Sequence, residues 1–389
     1  MKNIKRNILI TGFILLLIVM PAAGALAAVF GSAISGKATE NEENRSLAAF
    51  PEMKNAADLI SFPDKFTDWF SDHLPWKAKL VSLKNEAELL AFGELNSDRV
   101  IVGTDRKWLF NRSNDGEPLE TYKRTNLYTD EELEAVVENL SYLQADLEDA
   151  GIGFVLLIAP DKEQIYGERY MPASIKREDH ENRTEQLIDA LKEYAPQINV
   201  VYPAEKLKNE SIDRKVYYET DTHWNLIGAS IACGELEDMI EAAYAAGTSP
   251  EKFAYEFAES GKKRGDLQKL VQLGSAFDST EYMSGHPAET VSLENVRDGN
   301  DEIIWELGQG DARYALPISV YLSGDSFRWN LTPYVQDAFS DTVIASRYYL
   351  DLDDIADVMP DVFVYEIAER YLGELDMIPG YNTAALINR

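Results

Sequence analysis

The chain has 389 residues, a formal net charge of −30, and hydrophobic and aromatic contents of 45% and 11%. That length and apolar content allow one large folded core with a smaller appendage. The acidity argues against a nucleic-acid partner, which needs a basic footprint.

The N-terminus comes first in chain order. Lys2, Lys5 and Arg6 precede an uncharged run over residues 7–32, and Glu40, Glu42 and Glu43 follow it. About 20 apolar residues span a bilayer, and the charge asymmetry places the N-terminus in the cytoplasm and the body outside. A retained transmembrane signal-anchor is expected over residues 1–32. The competing reading is a signal peptide cleaved near Ala25-Leu26-Ala27. Either way the body is extracytoplasmic.

A stem is expected over residues 33–97, first extended and then helical. Phe66, Trp69 and Phe70 share one face of a helix over residues 62–70. Leu80, Leu83, Ala87 and Leu90 fall at helical spacing in a second helix over residues 76–92. His73, between them, reads as a packing residue.

From Asp98 the pattern changes. Val100-Ile101-Val102 and Trp108-Leu109-Phe110 predict a hairpin. Thr129 and Glu132 form a capping-box signature for a helix ending near Gly151. The continuous apolar run over residues 152–158 predicts a strand covered on both faces, and a helix follows over residues 181–194. Residues 198–202 and 216–218 read as further strands, and residues 225–246 as a long helix. Cys233, the single cysteine, lies on that helix and reads as a buried structural thiol.

Residues 248–316, rich in glycine and charge, interrupt the rhythm and read as an insertion. Phe253–Phe257 and Glu302–Trp305 are short strand-like pieces within it. Strands then resume over residues 318–322, 341–345 and 362–367, with a helix over residues 328–339. Strands alternating with helices predict an α/β fold with a mostly parallel sheet covered on both faces.

Two stretches carry chemistry. Asp221-Thr222-His223 puts a carboxylate two residues from an imidazole, and an aspartate can hold a histidine in the tautomer that makes it a general base. Gly324-Asp325-Ser326-Phe327 places a serine between a strand and a helix, at the carboxyl edge where open α/β folds set their ligands. Backbone N–H groups at such a helix start can stabilise an oxyanion. The sequence therefore suggests a catalytic trio of Asp221, His223 and Ser326, with the Ser326 N–H as the default oxyanion donor and Arg328 as a weaker candidate.

Several stretches together resemble the extracytoplasmic polysaccharide O-acetyltransferases related to the alginate acetylation proteins. These are Glu43-Asn44-Arg45-x-Leu47-x-x-Phe50-Pro51, Asp72-His73-Leu74-Pro75, the hairpin of residues 100–110, Ala159-Pro160-x-Lys162-x-x-Ile165-Tyr166, Asp221-Thr222-His223-Trp224 and Gly324-Asp325-Ser326-Phe327. The resemblance implies a circularly permuted, SGNH-hydrolase-like α/β/α domain over residues 98–389. It implies an acetyl-serine intermediate on Ser326, with His223 as the base and Asp221 orienting it. Lys162 and Tyr166 match the family's first βα loop, where a structural role is equally open.

The implied partners are a polysaccharide acceptor and a multi-spanning membrane-bound O-acyltransferase that delivers acetyl groups. No cofactor and no metal are expected. A carbohydrate acetylesterase using the same trio, or a non-catalytic envelope scaffold, are the alternatives. Trp224 is expected to pack beside the base rather than meet a sugar.

Overall fold

The structure, a computed structural model, describes residues 48–51, 56–72, 77–113, 116–248, 250–295, 304–349 and 352–377. The expected anchor, the residues around Glu43 and His73 lie outside the described residues. Among the described residues no helix is long and apolar enough to cross a membrane. Two compact units are distinguished, Met1–Phe92 with Lys269–Gly274, and Gly93–Gln268 with Ser275–Arg389.

In the smaller unit, helix α1 spans Ala56–Asp72 and α2 spans Lys77–Phe92. Helix α1 begins a turn and a half before its expected start, with Pro63 inside it. Its aromatic stripe offsets the backbone bond that the proline removes: Phe62 stacks on Phe66, and Phe66 on Phe70, one turn apart. In α2 the expected apolar stripe faces outward, with Leu80, Leu83 and Leu90 exposed. The reason is a polar grip. Asn85 donates to the Val271 carbonyl at 2.7 Å, and Glu86 accepts the Gly274 N–H at 2.9 Å, so this face of α2 holds the 269–274 segment instead.

The larger unit is built on a seven-stranded sheet in the order β4-β3-β11-β9-β10-β8-β7. Its strands are β3 Gly153–Ala159, β4 Asn199–Val201, β7 Glu289–Asn295, β8 Ile304–Gln309, β9 Leu316–Gly324, β10 Phe339–Ser346 and β11 Val362–Ala368. The first five strands in that order run parallel, while β8 and β7 add on antiparallel. The hairpin β1 Val100–Val102 with β2 Leu109–Asn111, and the ribbon β5 Ala258–Lys263 with β6 Ser279–Met283, stand apart as two-stranded pairs.

Strand β3 shows why helices cover both faces. Alternate side chains of a strand point to opposite sides. Phe154, Leu156 and Ile158 join one apolar cluster with Leu140, Leu143 and Leu147 of α3 (Asp130–Asp149) and Leu187 and Leu191 of α5 (Arg183–Tyr194). Val155, Leu157 and Ala159 join the other, with Ile227 and Leu236 of α6 (Leu226–Tyr244) and Leu331 and Val335 of α7 (Arg328–Ala338). Each fully buried Leu or Phe in these layers contributes about 1.5–3 kcal/mol. Helix α3 opens on the expected capping box Thr129–Glu132, and α5 opens on a second one, Asn182–Glu185. The α4 helix, Lys162–Tyr170, follows β3 directly.

Three expectations change. Residues 216–218 are not a strand of the sheet: Tyr217 makes one antiparallel bridge to Trp224, closing a tight loop. Val216, Tyr217 and Tyr218 are buried as a strand would be, but their backbone partners are the loop itself, with Asn225 N–H on the Val216 carbonyl and Tyr218 N–H on the His223 carbonyl, and the distant Tyr166 Oη, 2.9 Å from the Val216 N–H. Residues 253–257 form no strand: no strand ladder pairs their backbone, and their rings pack on side chains instead, Tyr255 edge-on against Tyr334 at 4.8 Å. The expected insertion is also divided in role, since β7 and β8 extend the main sheet while β5 and β6 form the separate ribbon.

Candidate active site

Ser326 lies in the turn between β9 and α7, at the carboxyl edge of the parallel strands. Buried Asp325 fixes that turn. Its carboxylate accepts the Phe327 N–H at 3.0 Å and the Ala368 N–H of neighbouring β11 at 2.7 Å, while its own N–H donates to Glu366 at 2.9 Å. Glycine is needed at 324, where a Cβ would sit 2.4 Å from Glu366 Oε2. Burial, reinforced by the Asp325 charge, pushes the Glu366 carboxyl well up. Arg328, the weaker oxyanion candidate, donates instead to the Gly324 and Asp325 carbonyls at 3.4 and 2.8 Å. Phe327 has spent its N–H on Asp325, whereas the Ser326 N–H makes no hydrogen bond among the described residues.

Asp221 and His223 sit on the loop that the Tyr217–Trp224 bridge closes. His223 Nε2 lies 2.7 Å from Ser326 Oγ, and His223 Nδ1 lies 2.6 Å from Asp221 Oδ1, which also accepts the His223 N–H at 3.1 Å. The three residues singled out in the sequence, 103 positions apart at the extremes of the serine–histidine contact, thus form one hydrogen-bonded chain. With Nδ1–H donating to Asp221, the Nε2 lone pair faces the serine hydroxyl. Burial alone would raise the Asp221 carboxyl. The His223 hydrogen bond and charge, with Lys263 beyond, outweigh burial and hold it well below the usual carboxylate range.

The loop is held from several sides. Trp224 is fully buried, donates Nε1–H to the Phe327 carbonyl at 3.0 Å and meets the Phe327 ring edge-on, so it packs and does not face a ligand. Tyr166 stacks on Trp108 and holds Val216. The hairpin contributes Leu109 N–H to the Glu219 carbonyl at 2.9 Å. Lys162 reaches the same loop from α4 through three carbonyl oxygens. Cys233 is buried in the core, where burial raises its thiol well above the usual value.

Asp266 is a site residue that the sequence did not disclose. Its N–H donates to Asp221 Oδ2 at 3.1 Å, and its carboxylate accepts the Thr222 N–H at 2.8 Å and the Thr222 hydroxyl at 2.5 Å. Its Oδ2 is 3.7 Å from His223 Nδ1. Neighbouring Gly265 is forced, since a Cβ there would lie 1.9 Å from the Thr220 carbonyl. The only available signal was an Asp after a glycine in a charged segment, which is common. Asp221, His223 and Asp266 also form the one grouping among the described residues with metal-ligand potential, their atoms within 4.8 Å of one another. A cation there would displace the Nδ1 proton that links His223 to Asp221.

Chemically, this is a hydroxyl beside a base, the base oriented by a carboxylate, and a free N–H at a helix start. The chain is 28% identical over 360 residues to the probable alginate O-acetylase AlgJ of Pseudomonas syringae pv. tomato, covering 84% of this chain and 83% of that protein. It is 25% identical over 328 residues to the protein of the same description from Azotobacter vinelandii, covering 79% and 78%. In fold it resembles Bacillus cereus PatB1, with a TM-score of 0.53 at 17% identity over 70% of this chain and 97% of that one. The family model described as "SGNH hydrolase-like domain, acetyltransferase AlgX" matches residues 100–345, and the chain belongs to that family.

Proposed function

We propose that the protein transfers acetyl groups to hydroxyls of an extracytoplasmic polysaccharide through an acetyl-Ser326 intermediate. The observation that carries this is the continuous chain Ser326 Oγ–His223–Asp221 at 2.7 and 2.6 Å, set at the strand-to-helix turn. In the first half-reaction Ser326 Oγ attacks the acetyl carbonyl carbon while His223 Nε2 takes its proton. The oxyanion forms against the Ser326 N–H, and collapse expels the donor alcohol, which receives the proton from His223. In the second half, an acceptor hydroxyl gives its proton to Nε2 and attacks the acetyl-serine. The glycan ester leaves, and Ser326 Oγ regains the proton. Asp221 stays ionised throughout and stabilises the imidazolium.

The likeness to alginate O-acetylases supports a polysaccharide acceptor. Anchoring through residues 7–32, with the body outside the membrane and a multi-spanning O-acyltransferase supplying acetyl groups, belongs to the same proposal. The test is product analysis with an activated acetyl ester and a panel of envelope glycans. Acetylated glycan that disappears in Ser326→Ala is the expected result. Release of acetate with no acetylated glycan would make the protein an esterase, and unchanged acetylation in a folded Ser326→Ala would remove the catalytic assignment. Recovery of the full chain in the soluble fraction would contradict the anchor.

A further inference from the structure

Lys162 is 1% exposed. A buried lysine ordinarily meets a carboxylate; among the described residues, no carboxylate oxygen is paired with this one. Its Nζ donates to three backbone carbonyls of one loop, those of Tyr218 at 3.3 Å, Glu219 at 3.1 Å and Asp221 at 2.6 Å. The Trp108 and Phe110 rings lie 5.7 and 5.8 Å from it. Three carbonyls need three donors, and only an ammonium has three N–H bonds; a neutral amine would turn its lone pair toward a carbonyl oxygen. The loop so gripped carries Asp221 and His223.

We propose that Lys162 is a positioning residue for acyl transfer: its buried ammonium pins the 218–221 loop and so sets the His223 imidazole against Ser326. This rests on the proposed acyl-transfer chemistry, although the geometric claim stands apart from it. The charged neighbours are Glu163 on its own helix, Asp221 and Glu219 on the loop, and Asp266, all of which favour the ammonium. Burial outweighs them and lowers the group to about 8. Loss of this cation on the alkaline side is therefore expected to lower turnover.

The fold behaves oppositely. The native state holds this proton less tightly than the unfolded chain, whose lysine keeps it to about 10.5. Between those values the unfolded state binds more protons, so deprotonation of Lys162 does not weaken the fold. A fall in kcat on the alkaline side without a matching fall in melting temperature is the signature of positioning.

The experiment uses the full chain with p-nitrophenyl acetate as donor, following kcat and KM from pH 6 to 10 beside thermal melting. Lys162→Met is expected to lower kcat about 100-fold, as a misplacement of about 1 Å can, with KM nearly unchanged and no alkaline limb near pH 8. Lys162→Arg keeps the charge at every pH and is expected to move the limb upward while restoring part of kcat. Wild-type kcat and an intact limb in a folded Lys162→Met overturn the proposal. If Lys162→Met does not fold, a limb still near pH 8 in Lys162→Arg overturns it. Should the wild type show no ester turnover, the acyl-transfer reading fails first. The low-field His223 Nδ1 proton resonance then decides: it should weaken between pH 7 and 9 in the wild type, and its persistence contradicts the proposal.

Discussion

Two serine–histidine–aspartate trios lie among the described residues, one at each end of helix α7. At the N-terminal end Ser326, His223 and Asp221 are linked at 2.7 and 2.6 Å. At the C-terminal end Ser284 Oγ lies 3.0 Å from His286 Nε2, and His286 Nδ1 lies 2.6 Å from Asp337 Oδ2, in the last turn of the helix. Side-chain types and distances barely separate the two. Their surroundings do. A helix N-terminus favours negative charge and its C-terminus positive charge, so an oxyanion is stabilised beside Ser326 and opposed beside Asp337. The Ser284 hydroxyl is also engaged by Tyr334 Oη at 3.1 Å, and Asp337 accepts Tyr255 Oη–H and the Ala288 N–H, both at 2.9 Å. The second trio is a clasp tying residues 255 and 284–288 to α7. The difference teaches that position in the backbone field, more than contact distance, separates a reacting serine from a structural one.

The sharpest way to break the comparison is to remove each serine. Ser326→Ala is expected to lower acetyl transfer about 10⁴-fold or more, and Ser284→Ala to leave it within about twofold; steady-state rates with a common donor check both. Exchanging the carboxylates comes next. Asp221→Asn should lower kcat about 10³–10⁴-fold by leaving His223 in the wrong tautomer. Asp337→Asn should leave kcat alone and cost about 1–3 kcal/mol of stability, read by denaturant unfolding, because buried donors lose a charged acceptor.

A smaller effect belongs to Asp266. Asp266→Ala is expected to reduce kcat about 10-fold, equivalent to about 1.4 kcal/mol, since Thr222 loses both its bonds to that carboxylate. The smallest effect is on pH dependence. Asp221 is held below its ordinary value of 3.8, so its contribution to stability is present above that value and is lost as pH falls further. The melting-temperature gap between wild type and Asp221→Asn should therefore be constant near neutrality and close only below about pH 4.

Much of this site was legible because its signals are local. Asp221-Thr222-His223 and Gly324-Asp325-Ser326 each show a carboxylate, base or nucleophile at a turn, and the apolar run of β3 with the capping signature at Thr129 announces the layered fold. What stayed hidden depends on long-range contacts. Asp266 reaches Thr222 across 44 positions, and Lys162 reaches Asp221 across 59, with nothing in the intervening chain to mark either. Residues 216–218 carry the apolar character of a strand, yet their partners come from Tyr166 and the loop itself. The apolar spacing of α2 misled for a related reason, since Leu80, Leu83 and Leu90 are exposed while Asn85 and Glu86 bond to the 269–274 segment. The Ser284–His286–Asp337 clasp escaped because its histidine and aspartate are separated by 51 positions.

The most direct test of the account is to mix the full chain with p-nitrophenyl acetate, quench in acid within the first turnover and map the acetyl group by peptide mass spectrometry. Acetate is expected on Ser326, lost in His223→Ala and retained in His286→Ala. Acetate on Ser284 instead, or turnover with no acetyl on Ser326 at any quench time, would contradict it.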